Sequence, residues 1–426
     1  MPTPTTTPAT APGTLHWLDR LCRRALCQRL TQIQDACLTI CEQDQTHVFG
    51  DTHHALRATV KIHDPEAWRT IALYGSVGAG EAYMTGDWCA DDLPALVRIL
   101  CRNKEVLDRI DSGWASAGKW ALTLWNRAQR NTEKGSRRNI AAHYDLGNEM
   151  FELFLDPTLM YSSAIFPTPD SSLEQASRFK LERICQKLQL SAEDHLVEIG
   201  TGWGSMAIYA AQHYGCRVTT TTISDAQYRK AEQRIREAGL QDRITLLQQD
   251  YRQLNGQFDK LVSVEMIEAV GHQYLDTYFN TLNRLLKPDG IALIQAITID
   301  DWRYQQAKSN VDFIKRYIFP GGFLPSVTAM QQAMSRTSNL KTIHLEDIGS
   351  HYAETLRRWR RTFLDQREHL HQLGYDDTFC RLWDFYFAYC EGGFDERVIS
   401  TVHMVFAKPG NQRPLLLGDL VTGLRT

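Results

Sequence analysis

From Ala192 onward the chain alternates short apolar or β-branched runs with helical patterns, and no other feature restricts its fold as strongly. HLVEIG, CRVTTTTI, RITLLQQD, FDKLVSVEM and GIALIQAITI have the length and composition of buried strands. Between them SMAIYAAQHY, SDAQYRKAEQRIREAG and YLDTYFNTLNRLL carry apolar residues at helical spacing. A strand that returns through a helix lies parallel to its predecessor, so the expected class is α/β with a doubly wound, mostly parallel sheet. Ser224 and Gln227 match an S-x-x-Q capping box at the start of the second helix, and Gly239 suits its stop. Pro288, Asp289 and Gly290 are expected to turn the chain ahead of the fifth strand.

In such a sheet ligands bind at the carboxyl ends of the strands, where Gly200, Gly202 and Gly204 of LVEIGTGWGS follow the first strand. A dinucleotide fingerprint would end in Gly or Ala where Ser205 stands, and would place an acid at the end of the second strand to hold a ribose. Thr219 to Thr222 occupy that strand end, which disfavours NAD. Instead Glu198 leads an E-x-G-x-G-x-G run and Asp250 closes the third strand in QQDY. This pattern resembles the class I S-adenosyl-L-methionine (SAM) methyltransferases. The likeness implies close backbone approach to the cofactor at the glycines, with Asp250 and Tyr251 flanking its adenine.

A chain of 426 residues, 43% of them hydrophobic, is long enough for two or three units, and a formal net charge of −3 argues against a general nucleic-acid binder. Residues 1–14 lack the basic and apolar regions of a signal peptide and read as a tail, and no apolar run reaches the roughly 18 residues of a membrane span. From Leu15 to about Glu42 an amphipathic helix is expected, with Leu15, Leu18, Leu21, Cys22, Ala25 and Leu26 at helical spacing and Arg20, Arg23, Arg24 and Arg29 between them. Cys37 and Cys41 sit four apart, as on one helix face. The ten cysteines lack CxxC spacing and the fourteen histidines lack an HExxH pattern, so reduced thiols and no metal are expected. Residues 47–107 read as a compact α+β segment, and Arg127 to Arg138 as a basic linker. The expected organisation is a tail over 1–14, an N-terminal domain over 15–125, a linker over 126–140, a catalytic domain over 141–410 and a tail over 411–426.

Beyond the glycine turn, GEAYMTGDW, AAHYDLGNEMFELFLDPTLMYSSAIF, VSVEMIEAVGHQY, YIFPGGFLPS and YFAYCEGGF occur in the order in which they resemble the cyclopropane-fatty-acyl-phospholipid synthase family. The likeness runs from about residue 47 to 408. It implies an N-terminal domain that engages lipid and forms a homodimer, and a SAM-dependent domain acting on unsaturated acyl chains of membrane phospholipids. A cytoplasmic, peripheral location with no nucleic-acid partner is expected, and the arginines of the N-terminal helix with the basic stretch Arg127 to Arg138 are expected to dock on an anionic membrane surface. Carried over position by position, the cofactor residues are Tyr161, Ser162, Gly200, Gly202, Gly204, Thr222, Gln227, Asp250 and Tyr251. An alkene attacking a methyl sulfonium leaves a carbocation, which aromatic faces and a fixed carboxylate can stabilise, and a base then removes a proton to close the ring.

The family uses bound bicarbonate as that base, in a pocket of cysteine, glutamate, histidine and tyrosine. Here the matching positions are Ser163, Glu268, Gln295 and Tyr352, so two of the four depart. A neutral Gln lacks the charge-assisted bond of an imidazolium, worth roughly 1.5–3 kcal/mol, so an anion is expected to bind about ten- to a hundred-fold more weakly. Cys390 in YCEGGF matches a cysteine of the family and is a candidate site residue, but with no activating base beside it in the pattern a pocket-wall or core role is expected. Cyclopropane formation is the expected outcome. The alternatives are methylation without ring closure, or a lipid- and SAM-binding protein without catalysis.

Overall fold

A computed structural model describes residues 17–103, 131–132, 135–136, 139, 147–412 and 414. The chain divides into two compact units, Met1–Lys119 and Trp120–Thr426. The expected tail over 1–14, most of the basic linker and most of the tail beyond 410 lie outside the described residues.

In the first unit α1 (Trp17–Leu30) precedes β1 (Cys37–Glu42), β2 (Gln45–Gly50), β3 (Arg57–Ile62), α2 (Glu66–Thr85), β4 (Trp88–Ala90) and α3 (Leu93–Arg102). The expected helix to Glu42 therefore ends twelve residues early. Asp35 turns the chain with a φ of 51°, and CLTICE, with β-branched Thr39 and Ile40, enters a sheet ordered β2-β1-β3-β4. Cys37 and Cys41 thus lie on a strand rather than a helix face; four residues is also an even step along a strand, which is why the spacing misleads. All ten cysteines are free.

The second unit carries α4 (Asn148–Glu152), α5 (Leu173–Leu188), β5 (His195–Ile199), α6 (Ser205–Tyr214), β6 (Arg217–Thr221), α7 (Asp225–Glu237), β7 (Ile244–Leu247), β8 (Phe258–Val264), α8 (Leu275–Leu285) and β9 (Leu286–Ile299). After these come α9 (Asp301–Ser309), α10 (Val327–Thr337), β10 (Lys341–Asp347), α11 (Gly349–Asp365), α12 (Arg367–Gln372), α13 (Asp377–Asp395) and β11 (Ile399–Ala407). The seven-stranded sheet has the order β10-β11-β9-β8-β5-β6-β7, with β5 parallel to both β6 and β8, and β11 antiparallel to β9 and β10. The expected doubly wound, mostly parallel sheet is therefore present, with β11 running against both of its neighbours. Apolar residues of both sheet faces are buried: Val197, Leu261 and Ile294 belong to one core cluster, Leu196, Val262 and Leu293 to another.

Two local expectations are corrected. Ser224 caps α7 by accepting from the Gln227 N–H at 3.3 Å, but the Gln227 side chain accepts from the Thr222 hydroxyl at 2.9 Å instead of returning to the cap; the hydroxyl at the end of β6 outcompetes the backbone. Gly239, at a φ of 67°, follows the end of α7 as expected. Pro288 to Gly290 do not form a turn ahead of the strand: they lie inside β9 as an irregularity opposite β8, where the register steps from Phe258↔Leu286 to Lys260↔Ile291 and Pro288 and Asp289 face solvent.

Candidate active site

The chain order β5, β6, β7 runs one way from β5 and β8, β9 the other, so the sheet switches direction between β5 and β8 and leaves a crevice at their carboxyl ends. The loops after these two strands hold the glycine turn and a glutamate, Glu265.

Gly200, Gly202 and Gly204 have φ of 99°, 53° and 88°, and the Gly200 and Thr201 N–H groups donate to the Thr221 carbonyl, binding the turn to the end of β6. A Cβ on Gly200 would stand 3.2 Å from Met266, whereas one on Gly202 would meet nothing within 4 Å. The turn therefore presents bare backbone to open space, a cradle that a side chain would fill and that suits a nucleoside cofactor. Glu198, which leads the motif, points into the sheet: it accepts from Thr220 at 2.6 Å, and burial pushes its carboxyl up to about 8, so at neutral pH it is mostly protonated. Thr222 and Gln227 come together through their mutual bond at the next strand end. Asp250 is gripped by Arg252, through Nε at 2.8 Å and Nη2 at 2.6 Å, and Tyr251 packs its ring edge-on to Tyr278 at 5.7 Å.

Deeper in the second unit, groups from distant parts of the chain meet at Glu265. Its Oε1 accepts from the Ser163 backbone N–H at 3.0 Å and from Gln295 Nε2 at 2.7 Å, and its Oε2 accepts from the Tyr352 hydroxyl at 2.8 Å. Glu265 holds a left-handed φ of 48°, rare for a side chain of this size, and its N–H donates to the Gln295 carbonyl at 2.8 Å. Burial raises its pKa while the Lys180 charge and the three donors pull it down, leaving it above the ordinary carboxylate range. Lys180, wholly buried on α5, donates to the Ser162 hydroxyl at 2.5 Å, and desolvation lowers it to about 8.

The acid that matches the family pattern, Glu268, does not share these donors. Glu268 lies one short helical turn further on, where Oε1 accepts from the Ile297 N–H at 2.5 Å and Oε2 has no partner. Burial, then the nearby Glu265 charge, pushes it up to about 8. Two carboxyls this close do not both ionise readily, and the donors favour charge on Glu265. The signal missed was position: Glu265 directly follows β8 at the switch point, but VSVEMIE holds two glutamates and only the second matches the family pattern.

Ser163 contributes its backbone, since its hydroxyl donates to the Ala164 carbonyl at 3.0 Å. Gln295 is held from behind. An ammonium can only donate, so Lys187 Nζ, 2.8 Å from His403 Nδ1, fixes the proton on Nε2, which donates to Gln295 Oε1 at 2.9 Å. The amide must then turn its NH2 toward Glu265. Strand register makes this possible, with Gln295 opposite both Val264 on β8 and His403 on β11. Bicarbonate does not fit this arrangement, because the donors at the Ser163, Gln295 and Tyr352 positions converge on a carboxylate the chain already supplies.

Around this point the walls are aromatic. The Tyr161 hydroxyl lies 3.0 Å from that of Tyr386 and its ring 5.3 Å from Trp359; Tyr352 packs at 4.5 Å on Phe394, and Phe319 at 6.1 Å from Tyr386. Cys390, also on α13, is raised well above the usual thiol range by burial, which keeps it protonated at neutral pH. Among the described residues no cluster could hold a metal ion.

Comparison with known proteins fits this geometry. The family model described as mycolic acid cyclopropane synthetase matches residues 131–404. The tuberculostearic acid methyltransferase UfaA1 of Mycobacterium tuberculosis is 37% identical over 82% of this chain and 83% of its own. The cyclopropane-fatty-acyl-phospholipid synthase of Escherichia coli K12 is 35% identical over 82% and 88%. Among solved structures, the mycolic acid cyclopropane synthase CmaA1 complexed with S-adenosylhomocysteine (SAH) and CTAB superposes with a TM-score of 0.60 at 28% identity, covering 64% of this chain and 98% of that one.

Proposed function

The chain belongs to the mycolic acid cyclopropane synthetase family of SAM-dependent methyltransferases, and from that premise we propose that it transfers the methyl carbon of SAM to the double bond of an unsaturated acyl chain in a membrane phospholipid and closes a cyclopropane ring. The observation that carries this reading is a fully hydrogen-bonded carboxylate set among aromatic rings at the switch point of the sheet.

SAM supplies an electrophilic methyl. The glycine turn holds backbone open to the cofactor, with Thr222 and Gln227 at the next strand end. Tyr161, Tyr352 and Tyr386 offer aromatic faces to positive charge on the acyl chain, and the deep position of the cleft excludes water that would capture a carbocation. With SAM carrying a trideuterated methyl and vesicles of an unsaturated phospholipid, lipid analysis is expected to find a mass gain with two deuteriums kept, the third leaving when the ring closes. Three kept would replace the ring by a methyl-branched alkene, a reading favoured by UfaA1 being named a methyltransferase.

Membrane phospholipid also requires docking on a surface. Among the described residues no helix is long and apolar enough to cross a membrane. On α1, Cys22, Leu26 and Leu30 are buried, while Trp17 and Leu21 are 63% and 43% exposed beside Arg20 and Arg24 on the opposite face. Sedimentation with vesicles is expected to require anionic lipid and to weaken with salt. Each arginine contributes about 1 kcal/mol, so Arg20→Glu with Arg24→Glu is expected to lower binding by more than roughly tenfold. Binding indifferent to both anionic lipid and salt would count against α1 as the docking face.

A further inference from the structure

We propose that Glu265 is a built-in replacement for an external anion: its side chain takes the place of bound bicarbonate and accepts the proton released after methyl transfer, so that turnover does not depend on bicarbonate. This rests on the proposed alkylation of an acyl double bond and concerns only how the reaction finishes.

Three geometric observations meet here. The first is the donor set. The Ser163 backbone N–H, Gln295 Nε2 and the Tyr352 hydroxyl approach at 3.0, 2.7 and 2.8 Å, and these are three of the positions at which the family pattern assembles its anion pocket. A free anion would have to displace a carboxylate already tethered to the chain, which has no translational entropy left to lose. The second is the backbone. Glu265 is held at a φ of 48° at the carboxyl end of β8, a conformation that is costly for glutamate and that directs this side chain to the donors. The third is the support behind the donors, since Lys187 and His403 fix the Gln295 amide in the one orientation that donates to a carboxylate and would repel nothing but a cation. Lys180 adds a buried positive charge that favours the ionised form of Glu265.

The chemistry balances without a further reactant. The alkene electron pair forms the new bond to the methyl carbon as the C–S bond breaks toward sulfur, releasing SAH and leaving a positive charge on the chain. Glu265 then takes one proton from the added methyl, and that C–H electron pair forms the last bond of the ring. The protonated Glu265 returns its proton to solvent before the next turnover. The neighbouring Glu268, mostly protonated at neutral pH, is less suited to accept it.

The test uses the full-length enzyme with unsaturated phospholipid vesicles, measuring SAH release and lipid product in argon-purged buffer with and without added bicarbonate. The wild type is expected to turn over at the same rate in both. Glu265→Gln, which keeps the shape and loses the charge, is expected to lose roughly 100-fold or more of its rate with SAM affinity unchanged by calorimetry. Glu265→Gly relieves the left-handed backbone and empties the place of the carboxylate. This variant is expected to be inactive without bicarbonate and to recover part of its rate when bicarbonate is added. A wild-type rate that falls severalfold on bicarbonate removal overturns the proposal whatever the variants do. So does a Glu265→Gln enzyme within about threefold of wild type, or a Glu265→Gly enzyme that binds SAM yet ignores bicarbonate. Wild-type enzyme that releases no SAH with any unsaturated phospholipid would instead overturn the functional reading itself, and this one with it.

Discussion

A Gly202→Asn variant is expected to lose at least about 100-fold in SAM affinity, some 2.7 kcal/mol, while melting within a few degrees of the parent. Asparagine is among the few side chains that adopt left-handed backbone at little cost, and the φ of 53° at Gly202 lies in that region. A Cβ there meets no protein atom within 4 Å, so the fold loses little. The new side chain stands in the space left for the cofactor, and binding suffers. Gly200→Ala is the contrasting control: a φ of 99° and a contact of 3.2 Å with Met266 should lower stability and affinity together. Calorimetry with SAM, SAH and NAD decides the matter. Undiminished SAM affinity in the asparagine variant would move the cofactor away from this turn, and tight NAD binding by the parent would contradict the absence of an acid at Thr219 to Thr222.

The second large effect lies behind the pocket. Lys187 has no exposed side-chain surface and is neutralised by Glu346, which also pairs with Arg183. Glu346→Gln would leave the buried ammonium uncompensated at a cost of roughly 3–5 kcal/mol, visible as a lower melting temperature. The pH dependence gives the cause away. Desolvation lowers Lys187 in the folded protein to about 8 from an ordinary 10.5. Between those values the unfolded chain binds more protons than the folded one, so the Lys187 contribution to stability rises with pH from about 8 to 10.5. Without Glu346 the folded-state pKa falls further and that rise begins at lower pH. The gap between variant and parent should therefore narrow as pH is raised from 7 toward 9. A gap independent of pH would assign the loss to Arg183 alone.

How much of this was legible in the sequence depended on periodicity. The five parallel strands are legible because β5, β8 and the body of β9 are apolar on both faces, β6 and β7 are short β-branched runs, and helices with apolar residues at helical spacing separate them. β10 is not, since KTIHLED is half-exposed along most of its length and gives no clean alternation. β11 contains a fully buried histidine whose partners, Lys187 and Gln295, are more than a hundred positions away, and no local pattern announces such a partnership. Glu265 was overlooked for a related reason. Its three donors come from residues 163, 295 and 352, and only strand register and packing bring them together. The glycine turn, by contrast, is a local conformational demand, and a sequence states such demands directly.

β11 lies between β9 and β10, yet it is the last of the described strands to be made. Until Ile399–Ala407 has left the ribosome and inserted, β10 has no neighbour in the sheet and the Gln295 amide lacks the His403 bond that fixes it from behind. The glycine turn belongs to the same compact unit and the same sheet, and domains form as units, so the turn settles together with β11. The cradle and the oriented Gln295 amide are thus completed together, by the strand synthesised last. A chain cut short between β10 and residue 399 would leave β9 and β10 without the strand that joins them, two exposed edges that invite aggregation in place of a working site.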